Sequence, residues 1–298
     1  DRSIGSFALM PLDVGPLDNP PATSSTSRIA FSSKPTGEFE LRDVEPGRYD
    51  LYAMAQDNQN RRFWTGHTIV QITDKDITGL NLELSAGGIL AGEISIEGTG
   101  PAPLPLERLR IALQPLGTLP APVGLIMGAI PVDAAGKFNI PAIAEGQYRI
   151  NVQGLPANAY IADIRQSGVS VFDDGIIFGK GASQTSIQIS LKSDGESIEG
   201  TVHKRDSKPA AGATIVIVPI SVRQQNPALY RTATADADGR FSLTGISPGE
   251  YTVFAWESVL TGAWQNAAFL AKYQSRGQTL RVIPQGHAKV QLEVIPAE

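Results

Sequence analysis

Short runs in which every second residue is apolar cover most of this chain, and one such pattern recurs three times. It places Gly37, Phe39, Leu41, Val44, Pro46, Gly47, Tyr49 and Leu51 in the first copy. Gly136, Phe138, Ile140, Ile143, Gly146, Tyr148 and Ile150 form the second, and Gly239, Phe241, Leu243, Ile246, Pro248, Gly249, Tyr251 and Val253 the third. Alternation with period two is the signature of strands that bury one face. The Pro-Gly pair between the runs of the first and third copies, of which Glu145-Gly146 in the second keeps only the glycine, predicts a tight turn, proline presetting the first central position and glycine supplying positive φ at the second. Each copy therefore reads as strand, turn, strand.

Further strands flank the phrase. Residues 7–11, 109–115 and 213–219 alternate and close on Pro11, Pro115 and Pro219, where proline ends pairing without disturbing the ladder. Residues 80–84, 187–191 and 290–294 alternate again as closing strands. The second and third copies also begin with an opening strand, at residues 88–94 and 197–202, which the first copy lacks. Either that strand is supplied upstream, or residues 1–4 replace it poorly and leave an edge that invites pairing with another chain.

A repeat spacing of roughly a hundred residues is too long for a solenoid unit and suits a tandem array of small domains. The expected boundaries are 1–86, 87–192 and 193–298. About seven short strands per repeat favour two-sheet antiparallel sandwiches over a closed barrel. The fold class is all-β, with links at 85–88 and 192–196 so brief that neighbouring domains are expected to touch. One exception is residues 264–275, which lack Gly and Pro and set Phe269 and Tyr273 four apart, predicting one short amphipathic helix that ends near Gly277.

Composition agrees with this picture. With 30 Gly and 21 Pro in 298 residues, and charged residues at only 18%, many turns and short strands are expected rather than long helices. The net charge of -5 leaves no basic footprint, which excludes nucleic acid and an anionic membrane surface as expected partners. The absence of cysteine excludes disulfides and thiolate metal sites, and leaves the redox compartment undecided. No run approaches the apolar length of a bilayer span, so no membrane insertion is expected. The chain begins at Asp1 without Met or a leader, and a signal peptide or an earlier domain is expected to have been removed.

The opening Ile-x-Gly-x-Val element at Ile198, Gly200 and Val202, the proline-ended strand, and the phrase from Asp236 through Gly239, Phe241, Leu243, Pro248, Gly249 and Tyr251 resemble the carboxypeptidase regulatory-like domain. The likeness is strongest at 197–253, good at 88–191 and partial before 84. It implies a transthyretin-like, immunoglobulin-like β-sandwich. Residues 160–171 with Gly175 and Gly181 look like the version found in large bacterial envelope proteins. The resemblance implies an exported, extracellular or periplasmic scaffold with no catalytic residues of its own. In the related B-type repeats an acid promotes an isopeptide bond; Ala53, Val152 and Ala255 stand at the equivalent positions here, so none is expected.

Candidate chemistry is sparse. His67, His203 and His287 fall one per repeat with no spacing that pairs them on a strand, and they read as solvated imidazoles rather than a zinc set. The turns at Asp236, Asp238 and Gly239 and at Asp173, Asp174 and Gly175 do not continue into a calcium loop, and Asp before Gly is ordinary turn chemistry. No Gly-x-Ser-x-Gly occurs and no insertion is large enough to form an obvious cleft, so no catalytic residue, metal or cofactor is expected. The aromatic residues carry the best lead. Trp64, Tyr160 and Trp264 follow each phrase at a similar remove, and with Trp256 they are the candidate ligand-binding residues. Exposed, they would stack on sugar rings or on a partner's aromatic side chains; buried, they plug the sandwich ends. Trp64, beside Arg61, Arg62 and Phe63, is the first choice for exposure. Insertions at 101–105, 116–123 and 220–230 read as recognition loops or as stiffeners of a joint. The expected function is a monomeric, noncatalytic scaffold or adhesion array contacting a protein or glycan, with a carbohydrate-binding module as the alternative.

Overall fold

The computed structural model describes residues 2–12, 28–32, 37–57, 62–97, 105–116, 129–179, 181 and 184–297. Strands dominate, with one α-helix, α1 (Ala267–Tyr273), among the described residues. The chain divides into two compact units. One comprises Asp1–Glu93, Leu106–Gln153 and Arg165–Gln188, the other Ile94–Pro105, Gly154–Ile164 and Ile189–Glu298.

The first strands are β1 (Arg2–Pro11), β2 (Arg28–Ser32), β3 (Gly47–Asp57), β4 (Arg62–Ile72) and β5 (Ser85–Ala86), which form one sheet in the order β2-β1-β3-β4-β5. Next come β6 (Gly88–Glu97), β7 (Arg110–Pro115), β8 (Ile130–Pro131), β9 (Lys137–Ile143), β10 (Gly146–Gln153), β11 (Tyr160–Gln166), β12 (Val169–Ser170), β13 (Ile176–Phe178) and β14 (Gln184–Lys192). They make two sheets, β13-β10-β7-β8 and β12-β11-β14-β6-β9. The last are β15 (Glu196–His203), β16 (Thr214–Pro219), β17 (Arg231–Thr234), β18 (Arg240–Ile246), β19 (Gly249–Trp256), β20 (Gln278–Val282) and β21 (His287–Glu293), in sheets β18-β15-β21 and β17-β16-β19-β20.

The recurring phrase folds the same way each time. Its tyrosine lies opposite the strand-ending proline in every copy, as Pro11↔Tyr49, Pro115↔Tyr148 and Pro219↔Tyr251. The tyrosine hydroxyl then reaches back over the preceding turn. Tyr49 donates to the Glu45 carbonyl at 3.0 Å and Tyr148 to the Ala144 carbonyl at 3.2 Å, while Tyr251 meets the Ser247 hydroxyl at 2.7 Å. A buried ring and a satisfied hydroxyl thus fix each hairpin corner. The glycine in this turn has a different cause from the expected positive φ, which neither Gly47 nor Gly249 adopts. A Cβ on Gly47 would come 3.0 Å from the Tyr49 ring and one on Gly249 3.2 Å from the Tyr251 ring, so glycine is there to let the ring fold back.

The third set of strands has two cores. Ile198, Val202, Ile215, Ile217, Phe241, Leu243, Tyr251, Val253, Val290 and Leu292 fill the space between its sheets. On the other face of β16 and β19, Val216, Val218, Phe254 and Trp256 pack with Tyr230, Trp264 and Leu270 beneath α1. Burial on both faces explains why Ile215, Val216, Ile217 and Val218 form a continuous apolar run instead of alternating. Each large side chain so buried contributes about 1.5–3 kcal/mol relative to exposure. The helix lies inside the predicted window, with the Phe269 and Tyr273 rings 5.0 Å apart and Asn266 Oδ1 capping its N-terminus by accepting from Ala268 and Phe269.

Three expectations change. Residues 37–44, expected to contain a strand around Phe39 and Leu41, and residues 77–84, expected to contain the closing strand, lie in no strand of the first repeat. In the third set both counterparts pair with the opening strand β15, which has no equivalent among the described residues of the first repeat. Residues 1–4 are no separate opening strand, since Arg2 onward belongs to β1 and pairs with β3. Finally, β15 and β21 run parallel, whereas β15 and β18, β16 and β19, and β19 and β20 pair antiparallel.

Candidate functional site

The four aromatic candidates do not share one surface. Trp256 is 1% exposed, stacked on Phe254 at 5.2 Å and edge-on to Tyr273 at 5.9 Å. Trp264 is buried in the same cluster beneath α1. Tyr160 is buried as well, leaving Trp64, half-buried on β4, as the one of the four with part of its side chain at the surface. Arg61 and the side chains of Arg62 and Phe63 lie outside the described residues, as do the insertions at 101–105 and 116–123 apart from Pro105 and Leu116. The common spacing nevertheless has a structural meaning for two of them. Trp64 pairs with Ala86, the residue at which β5 gives way to the Gly87 link into β6. Tyr160 contacts the next link, between β14 and β15.

That second link, Ser193, Asp194 and Gly195, is held from two sides within the second compact unit. From one side, Asn158 Nδ2 donates to the Ser193 carbonyl at 2.9 Å, the Asn158 carbonyl accepts from the Gly195 N–H at 3.1 Å, and the Tyr160 hydroxyl donates to Asp194 Oδ1 at 3.0 Å. Burial first, and then this bond to Asp194, push the Tyr160 phenol well above its ordinary pKa. From the other side, the Gln285 N–H donates to the Asp194 carbonyl at 3.1 Å, and the buried Glu196 carboxylate accepts from the Ile283 N–H at 2.6 Å. Backbones come close enough here that only glycine fits. A Cβ on Gly195 would stand 2.7 Å from Gly245 Cα, and one on Gly245 would stand 2.5 Å from the Ala157 carbonyl oxygen. Sequence reasoning identified Tyr160 for stacking and missed Asn158, Asp194, Glu196 and Gly245. Their one signal was the brevity of the link itself.

Several titratable groups elsewhere hold loops and turns. Asp133 Oδ1 accepts from the Ala135 and Lys137 N–H groups, and Asp236 Oδ1 from those of Asp238 and Arg240, which makes both turns self-closed. Arg149 donates to the Asp173 carbonyl at 3.0 Å, and Arg231 donates to the carbonyls of Ala228, Tyr230 and Gly245; burial lowers the pKa of both guanidinium groups. His203 meets the Lys204 carbonyl at 3.2 Å and His287 the Ser197 hydroxyl at 2.7 Å. His67 Nδ1 stands 3.3 Å from the buried Asp50 carboxylate, a hydrogen bond that raises its pKa against the opposing effect of burial. Among the described residues no three His, Asp or Glu side chains gather where a metal ion would need them, and no helix is long and apolar enough to cross a membrane.

Residues 197–282, from β15 to the end of β20, match the family model of the carboxypeptidase regulatory-like domain. No curated protein matches the sequence. Among solved structures the chain is similar to a streptococcal ancillary pilin at 12% identity and a TM-score of 0.28, over 97% of this chain and 91% of that one. A minor pilin of Streptococcus agalactiae is similar at 12% identity and a TM-score of 0.29, over 71% of this chain and 98% of that one. The Bacillus anthracis TIE protein is similar at 10% identity and a TM-score of 0.23, over 99% of this chain; the match spans 52% of that protein's chain.

Proposed function

We propose that this chain is a noncatalytic, exported scaffold of carboxypeptidase regulatory-like domains, three in tandem at 1–86, 87–192 and 193–298, that spaces and presents protein-contact surfaces in the extracellular space or periplasm. The observation that carries the proposal is the pinned link at 193–195, in which a connection short enough to be read as a joint is bonded on both sides. A spacer needs its joints to resist bending, and each of these bonds adds about 0.5–1.5 kcal/mol net against it. Titratable side chains that an enzyme would direct into a pocket are here bonded to loops and turns. The glycan alternative now depends on Trp64 alone, because Trp256, Trp264 and Tyr160 are buried.

Because the chain has no cysteine, spin labels can be introduced cleanly at the exposed positions Gln188 and Lys289 by Q188C and K289C. A narrow distance distribution across the link is expected, broadened by N158A; a distribution that is broad before any substitution overturns the scaffold proposal. For the glycan alternative, a tryptophan fluorescence change on a glycan panel that disappears in W64A would support it, and no change would end it.

A further inference from the structure

The face of β3 turned away from the first core carries the groups that meet the next set of strands. Tyr49, Leu51 and Ala53 point into that core, so alternation turns Asp50 and Tyr52 the other way. Equivalent positions hold Arg149 and Asn151 in β10 and Thr252 and Phe254 in β19, so the acid and the tyrosine are peculiar to the first copy. Neither is solvated: Asp50 is 1% exposed and Tyr52 0%. Tyr52 packs with Ala8, Met54 and Ala144, and Ala144 lies in the turn between β9 and β10, within the same compact unit.

Titratable groups from both sides gather at this contact. His67 lies opposite Tyr52 in the β3–β4 register, and its Nδ1 is 3.3 Å from Asp50 Oδ1. The imidazole is 30% exposed and so open to protons from solvent, whereas the carboxylate that it meets is buried. The charged groups that act on His67 are Asp50, from β3, and Glu145, which follows Ala144 in the β9–β10 turn. The hydrogen bond to Asp50 raises the His67 pKa most, burial opposes it, and the charges of Asp50 and Glu145 add to the rise. The two phenols at the contact, Tyr52 and Tyr148, are pushed up, first by burial, and stay neutral. Of these groups His67 is the one whose charge changes near neutral pH.

We propose that protonation of His67 closes the joint between the first sheet and the β9–β10 turn, and that deprotonation loosens it. Asp50 and His67 belong to one sheet and keep their hydrogen bond when the joint is open. What closing adds is the loss of water around the Asp50 charge and the approach of Glu145. Both favour the imidazolium, against the partial burial of His67 itself, because closing over a neutral imidazole brings two carboxylates together without the cation that balances them. The closed-state pKa is therefore the higher one, and the added stability of the closed joint is complete below the ordinary histidine value and lost as pH rises through the closed-state value. This deepens the scaffold proposal and rests on it, since the joint is the one between the tandem domains 1–86 and 87–192; an array regulated in this way is stiffer in acid than at neutral pH.

The test uses the full chain with spin labels at exposed Gln71 of β4 and Gln188 of β14, introduced by Q71C and Q188C. The distance distribution is expected to be narrow at about pH 5.5 and broad at about pH 8.5, values that bracket a raised histidine. H67Q retains an amide donor for Asp50 and is expected to abolish the difference between the two conditions. E145Q, in an exposed turn, is expected to lower the His67 pKa read from its ring-proton NMR signals and to reduce the broadening at the higher pH. A wild-type distribution indifferent to pH, one that narrows as pH rises, a broadening that persists in H67Q, or a His67 pKa unmoved by E145Q each overturns the inference. The Gln188–Lys289 pair is expected to stay narrow in both conditions, and equal broadening there would mean general loosening and overturn it too. A first joint indifferent to pH beside a narrow second link leaves the scaffold standing, so the switch and the scaffold fail separately.

Discussion

Asp50 and Tyr52 sit on one face of β3, with Met54 next in the alternation, and each meets a different physical demand. Tyr52 is fully buried against Ala8 and Ala144, and its hydroxyl has no hydrogen-bond partner among the described residues, whereas the Tyr148 hydroxyl is satisfied by the Ala144 carbonyl. Removing an unsatisfied hydroxyl costs little and removing a satisfied one costs about 1 kcal/mol. Tyr52→Phe is therefore expected to leave the urea midpoint unchanged or raise it, and Tyr148→Phe to lower it; the reverse order would refute the assignment. His67 adds a pH dependence. Its folded pKa is raised, first by the hydrogen bond to Asp50, so its contribution is complete below the ordinary histidine pKa and is lost as pH rises through the folded value. The stability advantage of wild type over His67→Gln is expected to shrink between pH 6 and pH 8 in parallel urea titrations. An advantage that stays constant across that range would remove His67 from the account.

At the scale of elements, most of the hairpins were legible because period-two alternation, the strand-ending proline and the phrase tyrosine are all local signals. Partnership was not local. The Phe39 and Leu41 run reads like Phe138 and Ile140, yet a strand needs a neighbour, and β6 pairs with the second run while no such strand stands among the described residues of the first repeat. The aromatic candidates show the same limit, since Trp256 is covered by α1, which arrives later in the chain. The helix itself was legible from Phe269 and Tyr273, and its cap, Asn266, tests how much it protects. Asn266→Ala is expected to cost about 0.5–2 kcal/mol. Because Trp256 and Trp264 lie beneath that helix, fraying of α1 should also shift tryptophan emission to the red. A destabilised variant with unchanged emission would mean that the cluster holds without the helix.

For the whole molecule, the proposed stiffness of the 193–195 link rests on how closely backbones pass within the second compact unit. Gly245 has φ +65°, and its missing Cβ leaves room for the carbonyl oxygens of Ala157 and Ala159, at 2.5 and 2.9 Å from where that carbon would stand. Gly212 supplies the control, with φ +77° and nothing within 4 Å of its added Cβ. Alanine at either position takes on the left-handed backbone cost of about 1–2 kcal/mol, but only at Gly245 must it also push the 157–159 segment away from the link. Gly245→Ala is expected to lower the urea midpoint further than Gly212→Ala. It should also broaden the Gln188–Lys289 spin-label distance distribution, which Gly212→Ala should leave narrow. If both variants lose equal stability and keep a narrow distribution, the close approach contributes nothing to the joint, and spacing by a pinned link would have to be abandoned in favour of domains that merely follow one another.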